Sequence, residues 1–311
     1  LPDVAQLYNP NNALIQKGAR QAGTFKSNVE QYDLNAAGKL LVSFVDETDV
    51  LGRPLNRIIN IANEGNYTTK FTYNLDMLPD VAQLYNPNNA LIQKGSRRPG
   101  TFTSDISQYD INSSLDKPLV SFIDTTDVLG RPLTRFITIP GEGDYITKFT
   151  YGEIPETIDM IPDTARLYNP NGMLIQQGVR RAGTLSSNVD QYDLTAGEKV
   201  LLSFIDDIDA LGRPTKRILT VPGEGNYDID FIYNLDMIPD LAKLFNPYGE
   251  LIQSSSRRAG TLIKDVVIYD LSGGGVPLVT YTEDTDQLAR PIKRYINAAG
   301  DIFTVTNEFN L

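Results

Sequence analysis

LPDVAQLYNPNNALIQKG at 1–18 returns letter for letter at 78–95, then as IPDTARLYNPNGMLIQQG at 161–178 and IPDLAKLFNPYGELIQSS at 238–255. Recurrence at a period of roughly 77 residues marks a tandem array, and a repeat outranks any domain count taken from length. The repeats are set at 1–77, 78–160, 161–237 and 238–311. The second carries extra residues near Ser113 and between Gly152 and Thr157. A unit of this size buries only a modest core, so neighbouring repeats are expected to stabilise one another.

Within the quoted stretch, Asn9-Pro10-Asn11-Asn12 separates two apolar runs. Pro presets φ and Asn tolerates the left-handed region, so a turn between strands Val4–Tyr8 and Ala13–Gln16 is expected. Asn171-Gly172 is a stronger version of the same signal. Further strands are read at Val29–Leu34, Leu40–Asp46, Arg57–Ile61 and Tyr67–Tyr73. Leu40, Val42 and Phe44 alternate with Leu41, Ser43 and Val45, as a half-buried strand requires. No segment sustains a helical period. About six short strands per repeat with hairpin-length links imply an all-β fold, with each repeat a small antiparallel sandwich or barrel. Phe71–Met77 runs directly into Leu78-Pro79-Asp80 without a Gly/Ser linker. Four stiffly joined units in line would form a rod of roughly 120 Å.

Composition narrows the functions. The net charge of −11 argues against binding to nucleic acid or to an anionic membrane surface. No apolar run reaches the ~18 residues of a membrane span, so no membrane insertion is expected. Histidine and cysteine are absent, which removes imidazole acid–base chemistry, the Ser-His-Asp triad, thiolate nucleophiles and Cys/His zinc sites. Two carboxylates suffice for a glycosidase, but the polar residues here recur in every repeat, which suits a periodic surface. The chain is read as non-enzymatic. Glu153 and Glu156 in the longer second repeat mark the one asymmetry where a catalytic site would fit. No lysine recurs in all four repeats, which disfavours a shared isopeptide staple. The chain starts at Leu1, in phase with the later repeats, and is read as processed or as an excerpt of a longer array.

Three recurring charge patterns need partners. Asp33, Asp110, Asp193 and Asp270 each follow an aromatic in a strand. Arg20, Arg97, Arg180 and Arg257 precede Gly-Thr pairs. Arg53/Arg57, Arg131/Arg135, Arg213/Arg217 and Arg290/Arg294 share the spacing R-P-x-x-R. Arg–Asp pairing across strands or between repeats accounts for them, since bidentate geometry fixes register; a repeated ligand groove is the functional alternative. The metal candidates are the acidic loops Asp46 and Asp49, Asp124 and Asp127, Asp206, Asp207 and Asp209, and Glu283, Asp284 and Asp286. Carboxylates crowded in one loop suit Ca²⁺, with Asp76 and Asp80 or Asp236 and Asp240 completing a site. Against this stands a plain turn in which Asp bonds local backbone N–H groups. The recurring Tyr8, Tyr32 and Tyr73 are a sugar platform on one reading and packing residues on the other.

YNPNG at 168–172, YDLNAAGKLL at 32–41 and LGRP at 51–54 resemble the tyrosine-aspartate repeats of bacterial shell-forming toxins. Those repeats are shorter and the spacing here departs from their period, so the likeness is assigned to shared hairpin chemistry. The array as a whole looks like the stalk of a bacterial surface adhesin. The expected protein is therefore an extracellular or cell-surface structural repeat protein. Its repeats stack end to end in a filament or adhesin stalk, and its partners are copies of itself, joined end to end or by strand exchange. The alternatives are a multivalent module for a glycan or host surface protein, and a viral or phage fibre.

Overall fold

A computed structural model describes residues 2–74, 77–111, 117–152, 160–194, 199–298 and 301–307. The described residues form 24 strands and no α-helix, all in one antiparallel sheet. The first repeat supplies β1 (Val4–Tyr8), β2 (Leu14–Arg20), β3 (Lys26–Asp33), β4 (Lys39–Thr48), β5 (Pro54–Ile61) and β6 (Gly65–Thr72). The second supplies β7 (Val81–Tyr85), β8 (Leu91–Arg97), β9 (Thr103–Gln108), β10 (Val120–Thr126), β11 (Pro132–Ile139) and β12 (Gly143–Thr150). The third supplies β13 (Thr164–Tyr168), β14 (Leu174–Arg180), β15 (Ser186–Asp193), β16 (Lys199–Ile208), β17 (Pro214–Val221) and β18 (Gly225–Ile232). The fourth supplies β19 (Leu241–Phe245), β20 (Leu251–Arg257), β21 (Ile263–Asp270), β22 (Val276–Thr285), β23 (Pro291–Ala298) and β24 (Asp301–Thr306).

Each strand pairs with the next in sequence, and the pairing does not stop between repeats. Lys70 lies opposite Gln83 where β6 meets β7, Lys148 opposite Arg166 where β12 meets β13, and Asp230 opposite Lys243 where β18 meets β19. The all-β reading holds. In place of four separate sandwiches, the pairings describe one unbroken open sheet, because the direct junctions let the last strand of each repeat hydrogen-bond to the first of the next.

The hairpin tips follow from local chemistry. Asn9 Oδ1 accepts from the amides of Asn11 and Ala13 at 3.0 and 2.8 Å, and Asn86, Asn169 and Asn246 repeat the arrangement. Gly65, at φ +111°, sits so close to Pro87 that an added Cβ would lie 3.4 Å from the proline ring, and Gly143 and Gly225 meet Pro170 and Pro247 in the same way.

The sheet is wound. Arg180, at the end of β14, bonds Asp33, at the end of β3, at 2.5 Å. Eleven strand spacings laid flat would separate these strands by roughly 50 Å, so the sheet must curl back on itself. Residues from β3 through β17 and on to Met237, among them Gln31, Phe44, Phe122, Phe149 and Gly178, line a single cavity of ≈ 610 Å³, as a sheet wound back on itself brings them together. The seam contacts join strands eleven apart, so one turn takes about twelve strands, or two repeats: β1–β12 form the first turn and β13–β24 the second. Repeat 1 therefore meets repeat 3, and repeat 2 meets repeat 4, unlike a line of beads in which each unit touches only its sequence neighbours. The inward face holds the core, including Ile15, Val29, Phe44, Phe122, Val189 and Phe204. Antiparallel strands put successive hairpin tips on opposite edges, so each turn has an upper rim (tips β3–β4, β5–β6 and their equivalents) and a lower rim (tips β2–β3, β4–β5 and their equivalents).

Candidate functional site

The seam where the upper rim of the first turn meets the lower rim of the second is the most highly organised polar region of the molecule. It is built from two kinds of arginine node, each present twice.

The first kind centres on Arg213, in the tip between β16 and β17. Asp209 shapes that tip: its Oδ1 accepts from the amides of Leu211 and Arg213 at 2.9 and 3.0 Å, and its Oδ2 takes Arg213 Nε at 2.7 Å. The guanidinium thus held reaches across the seam. Its Nη2 donates to both Glu64 carboxylate oxygens at 3.0 Å, and its Nη1 donates to the Tyr67 hydroxyl at 3.2 Å and the Asp236 carbonyl at 2.9 Å. Tyr67 donates in turn to Glu64. The guanidinium lies between the Tyr67 and Tyr233 rings, 5.2 and 4.5 Å from their centroids. Arg213 is 1% exposed. Burial alone would favour its neutral form, but Asp209 and Glu64 outweigh that and raise its pKa further. Burial, and then the bond to Glu64, raise the Tyr67 phenol. Leu211 and Met237 of the second turn pack beside this node against Tyr67, Leu84 and Ile92 of the first. Arg290 builds the same node between repeats 4 and 2, donating to Asp286 at 2.6 Å, Tyr145 at 2.7 Å and Glu142 at 2.9 Å.

In the second kind, a buried aspartate of the upper rim accepts from an arginine and a glycine amide of the lower rim. Asp33 accepts from Arg180 Nη1 and from Gly183 N, while Arg180 also holds Asp163 at 2.6 Å. A Cβ on Gly183, whose φ is +73°, would meet Ala36 Cβ at 2.9 Å across the seam. Asp110 likewise accepts from Arg257 and from Gly260 N at 3.0 Å. Arg257 also donates to Asp236 at 3.0 Å and to Asp240 at 2.7 Å. Burial pushes the Asp236 carboxyl up to about 7, against the pull of Arg257, and burial also raises Asp240. Three carboxylates converge here closely enough to hold a metal ion, but the group at their centre is a guanidinium.

The acidic loops named from sequence divide into two roles. Asp46 takes Arg57 in a bidentate pair at 2.9 Å, as Asp124 takes Arg135 and Asp206 takes Arg217, and Glu283 holds Arg294 at 2.7 Å. Those arginines stack on inward aromatics, with Arg57 4.0 Å from the Phe44 centroid. Asp49, Asp127, Asp209 and Asp286 bond their own turn amides and the arginine four residues on. Asp207 accepts from Ser186, and Asp284 from Tyr295 at 3.2 Å. Sequence reasoning identified the Arg–Asp classes but not the reach of one turn to the next. It also passed over Glu64 and Tyr67, although E-G-x-Y recurs at 64–67, 142–145 and 224–227. Tyr73, Tyr151 and Tyr233 donate to the carbonyls of Pro54, Pro132 and Pro214. Asp76, Glu153 and Glu156 lie outside the described residues.

No family model and no curated protein matches the chain. Among solved structures, TcdB2-TccC3-TEV is 12% identical over 99% of this chain with a TM-score of 0.22, and the chain spans about one fifth (20%) of that structure's length. A porin-like protein from Bacteroides uniformis is 11% identical over 94% of this chain and 92% of its own length, also with a TM-score of 0.22. Likenesses this distant carry no argument about the chain.

Proposed function

We propose that this is a non-enzymatic structural repeat protein of the cell surface or extracellular space, in which stacked repeats build a stiff stalk or filament segment. The carrying observation is the seam. The same arginine nodes occur between repeats 1 and 3 and between repeats 2 and 4, so the most elaborate chemistry of the molecule is spent on joining turn to turn. A catalytic centre concentrates its special groups in one place; here they recur at a fixed interval along the sheet. Each turn adds about the length of an eight-residue strand, roughly 26 Å, along the winding axis.

Two measurements test this. Small-angle scattering extrapolated to infinite dilution is expected to show a compact two-turn particle, and Arg213→Ala is expected to loosen it. Immunogold labelling of intact source cells is expected to decorate the exterior. Label confined to the cytoplasm would overturn the surface assignment, and an Arg213→Ala chain indistinguishable in shape and melting would overturn the role of the seam.

A further inference from the structure

The seam uses the upper rim of turn one and the lower rim of turn two, which leaves the other two rims facing outward with the same groups. On the lower rim of turn one, Leu51 and Met77 are 63% and 61% exposed. Their counterparts Leu211 and Met237 are packed at the seam. Arg53 stands where Arg213 does, held by its own Asp49 at 2.7 Å and stacked on Tyr73 at 4.7 Å. On the upper rim of turn two, Tyr227 donates to Glu224 at 2.6 Å, reproducing the Tyr67–Glu64 half of a node. Leu244 and Ile252 there are part-exposed, whereas Leu84 and Ile92 at the seam are 7% and 0% exposed.

The edge strands match in the same way. VAQLY of β1 is identical to VAQLY of β7, which pairs on both sides, with β6 and with β8. Among the described residues, β1 pairs with β2 alone and β24 with β23 alone. Val305 lies opposite Arg294 as Thr69 lies opposite Arg57. Since Thr69 pairs with Leu84, the repeat places Leu7 of an added β1 opposite Val305. Ile302 and Phe303 in that edge are 70% and 55% exposed, an apolar edge open to strand addition.

We propose that a second copy of this chain continues the spiral head to tail: its lower rim seats on the upper rim of the first, and its β1 pairs with β24. Arg53 of the incoming copy then meets Glu224 and Tyr227, and its Leu51 and Met77 cover Leu244 and Ile252. Every one of these contacts copies one already made at the seam, with each residue replaced by its equivalent two repeats away. The interface is heterologous, so association yields linear chains rather than closed pairs. The inference rests on the stacked-turn reading above, from which it takes the pattern of contacts.

The test is sedimentation velocity on the full 311-residue chain over a range of concentrations, with one variant blocked at each rim: Leu51→Asp below and Glu224→Arg above. The unmodified chain is expected to gain average mass with concentration. Each variant alone should stay single, its association weakened by at least about tenfold, with an unchanged melting temperature because both side chains are exposed. Mixed in equal amounts, the variants should form a species of two copies and nothing longer, since each retains the rim the other lacks. A chain that stays single at its solubility limit, variants that associate as the parent does, or a mixture that stays single would each overturn the proposal. If Arg213→Ala still lowers the melting temperature in that case, the stacked-turn reading survives without it.

Discussion

The nodes at Arg213 and Arg257 do the same task with different charge balance. Arg213 faces two carboxylates, Asp209 and Glu64, and two tyrosine rings. Arg257 faces three carboxylates, Asp110, Asp236 and Asp240, with side-chain exposure of 0% for the first two. The Arg213 node keeps one of its acids, Glu64, in reach of water, so this node is stable across pH. Around Arg257 two of the three acids are fully buried, and burial pushes one of them, Asp236, up to about 7. The comparison teaches that the two kinds of node differ in pH dependence according to how many buried acids surround the guanidinium.

The largest effect should come from Arg257→Ala, which strands three carboxylates in the seam. Removing one partner of a buried pair costs about 3–5 kcal/mol, and the loss read by urea titration should be greater at pH 8 than at pH 5, where protonation relieves the remaining acids. Equal losses at both pH values would break the contrast. Arg213→Ala should cost about 3 kcal/mol, with little difference between those pH values, because Glu64 lies closer to solvent than Asp110 or Asp236.

Asp236→Asn sharpens the comparison with a smaller change of opposite sign. A carboxyl held above its unfolded value binds its proton more tightly in the folded chain. Its contribution to stability is therefore present below about 4 and drains away as the pH rises to about 7. The asparagine variant should melt higher than the parent at pH 8, and the advantage should vanish by pH 5. A variant that melts lower at pH 8 would show the Asp236 charge to be needed by Arg257. Smallest of all, calcium or a chelator should leave the melting temperature in place, because Asp46, Asp49 and their equivalents already hold arginines and turn amides. A calcium-dependent rise would show that the ion displaces those arginines.

The strands and tips of this fold were legible because their causes are local. Asn-Pro-Asn-Asn shapes its own turn, and Val42 and Phe44 share one face of β4 as their alternation predicts, while a bulge at Leu41 sets Leu40 opposite Tyr32 on the other face. The pairing of Arg57 with Asp46 was missed, because the acidic loop makes Asp46 a calcium candidate, although adjacent antiparallel strands bring those positions together. Asp33 with Arg180 was legible only as two recurring classes of residue. Nothing near either one states that the partner lies two repeats away.

By itself, then, the sequence determined a four-fold β array, its hairpin chemistry and the need of its arginines for acids. The tertiary structure alone decided that the repeats share one sheet, that the sheet closes a turn after twelve strands, and hence which arginine meets which acid. The physical reason is that twist and curl accumulate in small increments from strand to strand. The partner across the seam is set by their sum over two repeats, a quantity no single motif contains.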